Sequence, residues 1–394
     1  MPENIPYCRH EIGEEEIRAV TAVLRGGWIA RGPRVRTLEE ACEARLGSSH
    51  AIACSSGTGA LEIAMRGLGL GPGDDVIVPD VTWVASAMAV LQVGARPVFA
   101  DVDPETHLLT VETAEAAWTP RTRAVLTVDF AGVPSDVFGL RELAESRGAR
   151  LIEDAAHAFG AYHCDGTPVG RDEAAHVTTF SFHPAKTITT AEGGLVTTAD
   201  DVLAERMRRI RSGGITRSFA GSRGSHDYLA TEIGGNFHLS ELQAALGLVQ
   251  IDRVDAFLTR RRDAWDRLLD ALESLSGELL FPNHLGGSSH NLFIVELAED
   301  GGSADRRDAV LAHLGSEGIG ASLHYPLLHR QPVFARSPRA QVPNAERFEA
   351  RALTLPLFPS ITDDEIRRVA HALSEALVRF PAELRTSPSQ REIV

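Results

Sequence analysis

One basic residue differs from all the others in the chemistry it allows. The chain has 394 residues, 39 of them lysine or arginine, and Lys186 is the single lysine. Arginine can replace lysine wherever only a positive charge is needed, but only an amine can lose its proton and act as a nucleophile. Lys186 has therefore either survived by chance or been kept for its amine, and the residues around it decide between the two.

Lys186 follows a predicted strand over residues 177–182 and precedes a polar turn over 187–194. Open α/β sheets bind ligands outside the carboxyl ends of their strands, so this position suits a reactive amine. A carbonyl cofactor such as pyridoxal phosphate (PLP) needs an amine for a Schiff base, a carboxylate for its pyridine nitrogen and a cradle for its phosphate. The sequence offers candidates for the other two parts.

Asp154 is the candidate carboxylate, and the loop over residues 55–60 is the candidate cradle. Asp154 follows an apolar strand, although an aspartate there is also a common helix N-cap. Gly57 and Thr58 begin a predicted helix, whose free N–H groups and positive dipole end attract phosphate, although such loops also simply cap helices. Ser181 either adds a hydroxyl to the phosphate or is an ordinary strand serine. The loop lacks a Walker lysine, which disfavours nucleotide hydrolysis.

Two further side chains could contact a flat cofactor ring. Trp83 opens a predicted helix, where its indole could stack on the ring or pack in the core. His157 lies three residues after Asp154 and could hydrogen-bond a ring hydroxyl or play a structural part. Neither residue decides the function alone.

A second group of candidates lies far along the chain. Asn236 follows two glycines and also fits a turn. His324 and His329 flank Tyr325 in a predicted loop, and their spacing suggests a loop and not a metal pair. The sequence contains no H-E-x-x-H motif, and we predict no metal site.

The elements that must position these residues alternate in type. The apolar spacing predicts strands at 50–54, 76–78, 97–99, 124–128, 150–153, 177–182 and 194–198, separated by helices at 14–25, 34–46, 83–93 and 134–147 and one ending at 68. This alternation predicts βαβ units and a mostly parallel sheet covered on both faces. Beyond residue 240 we predict one long helix over 240–275, straight or bent, then a strand at 291–297 and helices near 305–317 and 363–379.

We therefore predict an α/β fold with two parts. Residues 1–250 would form a large cofactor-binding domain with a mostly parallel sheet flanked by helices, and residues 251–394 a smaller C-terminal α+β domain.

Charge and composition exclude several classes of function. The net charge is −15, so nucleic acid and anionic membranes are poor partners. A hydrophobic content of 43% is enough for a large core. The four cysteines are far apart, which predicts free thiols in a reducing cytoplasm. With no leader-like N-terminal pattern and no long apolar run, we expect a cytoplasmic protein.

In this order and with these spacings, the residues resemble the DegT/StrS-type PLP-dependent nucleotide-sugar aminotransferases. The likeness covers about residues 5–379 and is strongest over 181–186 with 192–194. Further matching segments are 55–60, 73–86, 128–131, 153–158 and 234–247. The resemblance implies the PLP type I aminotransferase fold, a homodimer with shared active sites and PLP as cofactor.

The resemblance also assigns roles. Lys186 would hold the cofactor and move the α-proton, Asp154 would pair with the ring nitrogen, and Asn236 would reach the cofactor phosphate of the neighbouring subunit. The implied cofactor-binding residues are Gly57, Thr58, Trp83, Asp154, His157, Ser181, Lys186 and Asn236. The implied substrate-binding residues are Arg31, His324, Tyr325 and His329.

Two departures from the family pattern fall where substrate and dimer partner are expected to meet: His238 stands where an arginine is usual, and Pro326 lies one place early. The expected reaction moves an amino group from an amino acid, L-glutamate, to a keto-sugar nucleotide, with C4 of a UDP-linked 4-keto-6-deoxyhexose as the specific hypothesis. The alternatives are a keto-cyclitol aminotransferase that uses glutamine and a non-catalytic PLP-binding regulatory protein.

Overall fold

A seven-stranded sheet forms the centre of the larger part of the molecule. The computed structural model describes residues 4–217, 228–281, 286–298 and 304–382. The strand order in this sheet is β1-β7-β6-β5-β4-β2-β3. Its strands are β1 (His50–Cys54), β2 (Asp75–Pro79), β3 (Arg96–Ala100), β4 (Thr122–Val128), β5 (Arg150–Asp154), β6 (Val177–Ser181) and β7 (Gly194–Thr198). Only β7 runs antiparallel to its neighbours, β1 and β6, so the sheet is mostly parallel, as predicted.

Helices pack on both faces of this sheet, and buried strands such as β2 are therefore apolar on both sides. These helices are α1 (Glu14–Arg25), α2 (Pro33–Leu46), α3 (Gly57–Gly67), α4 (Ala85–Gln92), α5 (Val111–Ala116), α6 (Val137–Ser146), α7 (Asp201–Arg211) and α8 (Glu241–Asp252). A short two-stranded ribbon, β8 (Ile215–Arg217) with β9 (Tyr228–Ala230), lies beside them. The layers confirm the predicted α/β class.

A second, three-stranded antiparallel sheet lies in the C-terminal part of the chain. It has the order β10-β11-β12, with β10 (Leu279–Leu280), β11 (Phe293–Leu297) and β12 (Ala352–Leu355). The helices of this part are α9 (Val254–Leu272), α10 (Ala304–Ser316), α11 (Pro343–Arg351) and α12 (Asp363–Arg379). Ile5 is buried in the same apolar core, so the first residues of the chain pack with the last third.

The long helix predicted over 240–275 is two helices. α8 and α9 are separated at Arg253, whose N–H donates to Gln250 O and which serves as C-cap of one helix and N-cap of the other. The division into domains at residue 250 stays a prediction. Among the described residues, no helix is both long and apolar enough to cross a bilayer.

Candidate active site

A cavity of about 460 Å³ opens at the carboxyl ends of β4, β5 and β6. Val128, Asp154 and Ser181, the last residues of these three strands, contribute to its wall. Nine of the predicted site residues line it: Gly57, Thr58, Trp83, Asp154, His157, Ser181, Lys186, His324 and Tyr325.

Lys186 lies in the turn that follows β6, where its N–H donates to His183 O over 2.9 Å. Burial lowers the pKa of its amine to about 8, since water no longer solvates the ammonium. The Asp154 carboxylate acts in the opposite direction, and the Arg261 guanidinium lowers the pKa further. A sizeable fraction of the amine is therefore neutral near physiological pH.

Two donors hold the Asp154 carboxylate at the end of β5. The Ser86 hydroxyl donates over 2.8 Å and the Ala156 N–H over 3.2 Å. Thr82 Oγ1 lies 2.9 Å from Ser86 Oγ, and its hydroxyl donates because that of Ser86 is already committed to the carboxylate. Burial raises the pKa of Asp154, while these hydrogen bonds and the charge of Lys186 oppose the rise.

The predicted phosphate cradle is the N-terminus of α3. Ser56 is its N-cap, accepting the Gly59 N–H with its hydroxyl (3.0 Å) and the Ala60 N–H with its carbonyl (2.9 Å). The amides of Gly57 and Thr58 have no such partner in the described part of the chain. A Cβ on Gly57 would lie 2.8 Å from the Cβ of Ser181, so only glycine allows this close approach of helix and strand.

Aromatic side chains also line the cavity. Trp83 is 57% exposed, which excludes the core position considered for it. Its ring centroid lies 5.5 Å from that of Tyr325, which belongs to the loop after α10. Nδ1 of His324 and Oγ1 of Thr354 share a hydrogen bond of 2.9 Å. Burial and the charge of Lys186 lower its pKa to about 4, which keeps the ring neutral.

The lining residues fit the PLP that the resemblance implies. The cavity holds an amine, a carboxylate and a helix N-terminus on one wall. His157 Nδ1 is a buried polar atom without a hydrogen-bond partner among the described residues, as expected of a group that contacts a bound molecule. The donor set thus matches the charged ring and phosphate of the cofactor.

Three predicted residues lie away from this cavity. Arg31 lines a separate basic recess with Arg211 and His238. Asn236 forms an isolated bridge with Ser212. His329 does not line the cavity either: its N–H donates to Asp80 Oδ1 over 2.9 Å and its ring pairs with the same carboxylate.

Sequence reasoning missed Tyr7, Ser86 and Glu192. Tyr7 and Glu192 line the cavity, and Ser86 holds Asp154. Tyr7 reaches the site from the start of the chain, and nothing in its local sequence signals this. Ser86 stands three residues after Trp83, at the start of α4, and this helical spacing from a candidate site residue is the one signal that could have found it.

Solved structures of sugar aminotransferases share this architecture. A putative sugar aminotransferase, Spr1654 from Streptococcus pneumoniae, in its PMP form, is 29% identical with a TM-score of 0.89, over 96% of this chain and 100% of that one. DesV from S. venezuelae is 34% identical with a TM-score of 0.84, over 95% and 98%. Helicobacter pylori PseC, an aminotransferase involved in pseudoaminic acid biosynthesis, is 26% identical with a TM-score of 0.88, over 96% and 100%.

A family profile gives the same assignment. The profile of the DegT/DnrJ/EryC1/StrS aminotransferase family matches residues 10–374, nearly the whole chain. Enzymes of this family depend on PLP, and the cavity offers the groups that PLP requires. The chain belongs to the DegT/DnrJ/EryC1/StrS family and is a PLP-dependent aminotransferase.

Proposed function

We propose that the enzyme transfers an amino group from L-glutamate to the keto group of a nucleotide-linked sugar, with C4 of a UDP-linked 4-keto-6-deoxyhexose as the acceptor. One observation carries the proposal. The Lys186 amine, the Asp154 carboxylate and the N-terminus of α3 share one cavity, which His324 and Tyr325 also border.

The proposed roles of the cofactor-binding residues follow from this arrangement. Asp154 would pair with the ring nitrogen, Trp83 and His157 would contact the ring, and Gly57, Thr58 and Ser181 would hold the phosphate. When bound, PLP supplies an aldehyde that carries the amino nitrogen and a ring that accepts the electron pair of a broken C–H bond.

Lys186 acts as nucleophile and then as general base and acid. Because burial brings the pKa of its amine to about 8, the neutral form is available at pH 7 to 8 and the charged form can return a proton. The carboxylate of Asp154 stays in place because Ser86 and Ala156 donate to it. The same lysine would serve both half-reactions, which gives ping-pong kinetics.

A nucleotide-linked acceptor carries phosphate groups, which an acidic chain repels unless a basic surface attracts them. Arg31 lies on the recess that also holds Arg211 and His238. Arg211 pairs with Glu39 over 2.6 Å, so Arg31 supplies the more available charge. We propose that Arg31 contacts the diphosphate and that His324, Tyr325 and His329 determine the fit of the sugar.

We further propose a cytoplasmic homodimer in which Asn236 contacts the cofactor phosphate of the neighbouring subunit. Asn236 does not line the cavity of its own chain, which suits a role in the other subunit. Trp28 and Ile29 are 63% and 56% exposed beside the basic recess, and such exposed apolar side chains favour an interface between copies. Sedimentation velocity of wild-type protein and of Asn236→Ala tests the assembly separately from catalysis.

A panel assay tests the proposed substrates. Purified enzyme is incubated with L-glutamate and a UDP-4-keto-6-deoxyhexose, and the amino sugar and 2-oxoglutarate are measured by mass spectrometry. A keto-cyclitol with L-glutamine forms the second arm, and Lys186→Ala is the control in both. Amination in the first arm supports the proposal, whereas turnover confined to the second overturns the sugar acceptor. A protein that takes up no PLP would contradict both of these reactions.

A further inference from the structure

Behind the turn that carries Lys186 lies a buried cation, Arg261 on α9. The residue is 2% exposed, and its Nη2 donates to the backbone oxygen of Lys186 over 3.3 Å. Its Nε and Nη1 atoms have no hydrogen-bond partner among the described residues. Glu11, Thr187 and Lys186 share with it a cavity of about 10 Å³, room for roughly one water molecule.

No carboxylate of the described residues forms a direct ion pair with this guanidinium. Burial lowers the pKa of this guanidinium, while Cys8 and then Glu11 oppose the change. The Glu11 carboxylate is itself engaged by Arg260 over 2.6 Å and by Arg253 over 3.8 Å. The charge of Arg261 is therefore only partly offset.

An arrangement of this kind is costly for folding alone. Removing a charged group from water costs several kcal/mol unless a partner compensates it. An apolar side chain of similar size at this position would avoid that cost. The one hydrogen bond that Arg261 makes to the described residues points to the turn of Lys186, which indicates that the charge serves the amine.

We propose that Arg261 is a positioning residue for Lys186. Its guanidinium anchors the turn through the Lys186 carbonyl and places a positive charge behind the amine, so that the amine keeps its neutral, nucleophilic form near physiological pH. The inference rests on the proposed role of Lys186 and adds a residue from outside the substrate cavity, since Arg261 does not line it.

The other groups around Lys186 act in known directions. Burial lowers the pKa of its amine first of all, Asp154 and Cys8 raise it, and Arg261 lowers it. The ionisable side chains that interact electrostatically with Lys186 are Asp154, Cys8, Arg261, His157, His183 and His324. Burial lowers the pKa of all three histidines, so Arg261 is the fixed cation of this set.

Because Lys186 is the single lysine of the chain, its titration can be followed without assignment. Full-length protein labelled with lysine carrying ¹³C at Cε, freed of cofactor, gives one side-chain signal. We expect a midpoint of about 8 in the wild type. In Arg261→Gln, which keeps a donor but loses the charge, we expect a rise of roughly one pH unit, as for the loss of a nearby like charge. In Arg261→Met, the Lys186 midpoint should rise at least as far.

Arg307→Gln is the matched control. Arg307 is a buried arginine of α10 that donates to the backbone oxygen of Glu349 and lines neither of the two cavities that contain Lys186. We expect the Lys186 midpoint to be unchanged in this variant. An equal rise in Arg261→Gln and Arg307→Gln overturns the proposal, because loosening of the fold would then explain both.

Two further results decide the proposal if the Gln and Met variants do not fold. A wild-type Lys186 midpoint near 10.5 overturns it at once. In Arg261→Lys, which keeps the charge, the basic limb of the holoenzyme pH profile should stay within a few tenths of a unit of wild type, and a large shift contradicts the proposal. The NMR titration requires no turnover, so it tests the role of Arg261 separately from transamination. The titration can contradict that role while transamination persists. Equally, Lys186→Ala can contradict the proposed function while the titration gives the expected midpoints.

Discussion

The hydroxyl of Tyr325 lies 3.2 Å from Nε2 of His157, joining the loop after α10 to the carboxyl end of β5. Burial lowers the pKa of His157 well below its usual value, and burial raises that of Tyr325. Both side chains are therefore neutral at physiological pH. With the imidazole proton on Nδ1, the atom without a partner among the described residues, the phenol donates and Nε2 accepts.

Removing this hydrogen bond should slow the enzyme without unfolding it. In Tyr325→Phe, His157 loses its hydrogen-bond partner at Nε2, so we expect kcat to fall about fivefold, which corresponds to one hydrogen bond of about 1 kcal/mol. Steady-state assays at saturating substrate give the value. Tyr162→Phe, at an exposed tyrosine outside the cavity, should behave as wild type. Full activity of Tyr325→Phe would show that the contact has no catalytic consequence.

Ser86 should lower the pKa of the Asp154 carboxyl. Its hydrogen bond opposes the burial that raises the pKa of the carboxyl, so Ser86→Ala should raise that pKa further. Since the reaction needs the carboxylate anion, the acid limb of the kcat/KM profile should move to higher pH. The buried Ser48, which donates to His50 O at 3.0 Å, provides the control Ser48→Ala. An acid limb that does not move in Ser86→Ala would argue against this role.

Gly57 should determine how tightly the cofactor phosphate is held. A methyl group there would lie 2.8 Å from Ser181 Cβ and force helix and strand apart. We expect Gly57→Ala to weaken PLP binding at least tenfold, or about 1.4 kcal/mol, in an absorbance titration. Gly315→Ala, in α10, adds a methyl group with nothing within 4 Å and should leave the affinity unchanged. Equal PLP affinities in Gly57→Ala and Gly315→Ala would show that the phosphate binds elsewhere.

Asp129 should make stability depend on pH. Burial, with a smaller contribution from the Asp154 charge, raises its pKa to about 7, and its carboxyl shares a hydrogen bond with that of Glu153. A carboxyl whose pKa is raised in the folded state makes the protein less stable as pH increases from about 4 to about 7. Asp129→Asn removes this loss, so its gain over wild type in urea denaturation should be larger at pH 8 than at pH 5.

The exposed Asp136, which accepts the Gly139 N–H, is the control for this experiment. Asp136→Asn should alter stability by the same amount at both pH values. If the gain in stability of Asp129→Asn is equally independent of pH, Asp129 is ionised throughout the range and its carboxyl shares no proton with that of Glu153.

Local patterns predicted the elements better than the contacts between them. Strand β1 and helices α1 and α12 begin and end at the predicted residues, because a short apolar run defines the strand and a regular apolar period defines each helix. The break at Arg253 was not located, since both sides of it continue the same helical spacing. Short elements such as α5 and β12 were not predicted because too few residues carry a period.

The same difference applies to the site. Lys186 and Asp154 could be predicted because each ends or follows a strand of a parallel sheet, and those ends meet at one edge. Tyr7 could not, because its position depends on Ile5 packing beside Ile319. His329 does not line the cavity because it pairs with Asp80, which lies far away in the sequence. Such contacts depend on tertiary packing, which no local pattern encodes.

Mapping the residue to which the cofactor attaches tests the proposed role of Lys186 most directly. Holoenzyme is reduced with borohydride, which converts the cofactor–amine linkage to a stable secondary amine, then digested and analysed by mass spectrometry. With Lys186 the single lysine, we expect the pyridoxyl label on Lys186 alone and loss of transamination in Lys186→Ala. A label found only on the N-terminal amine, or an active Lys186→Ala variant, would contradict the central claim.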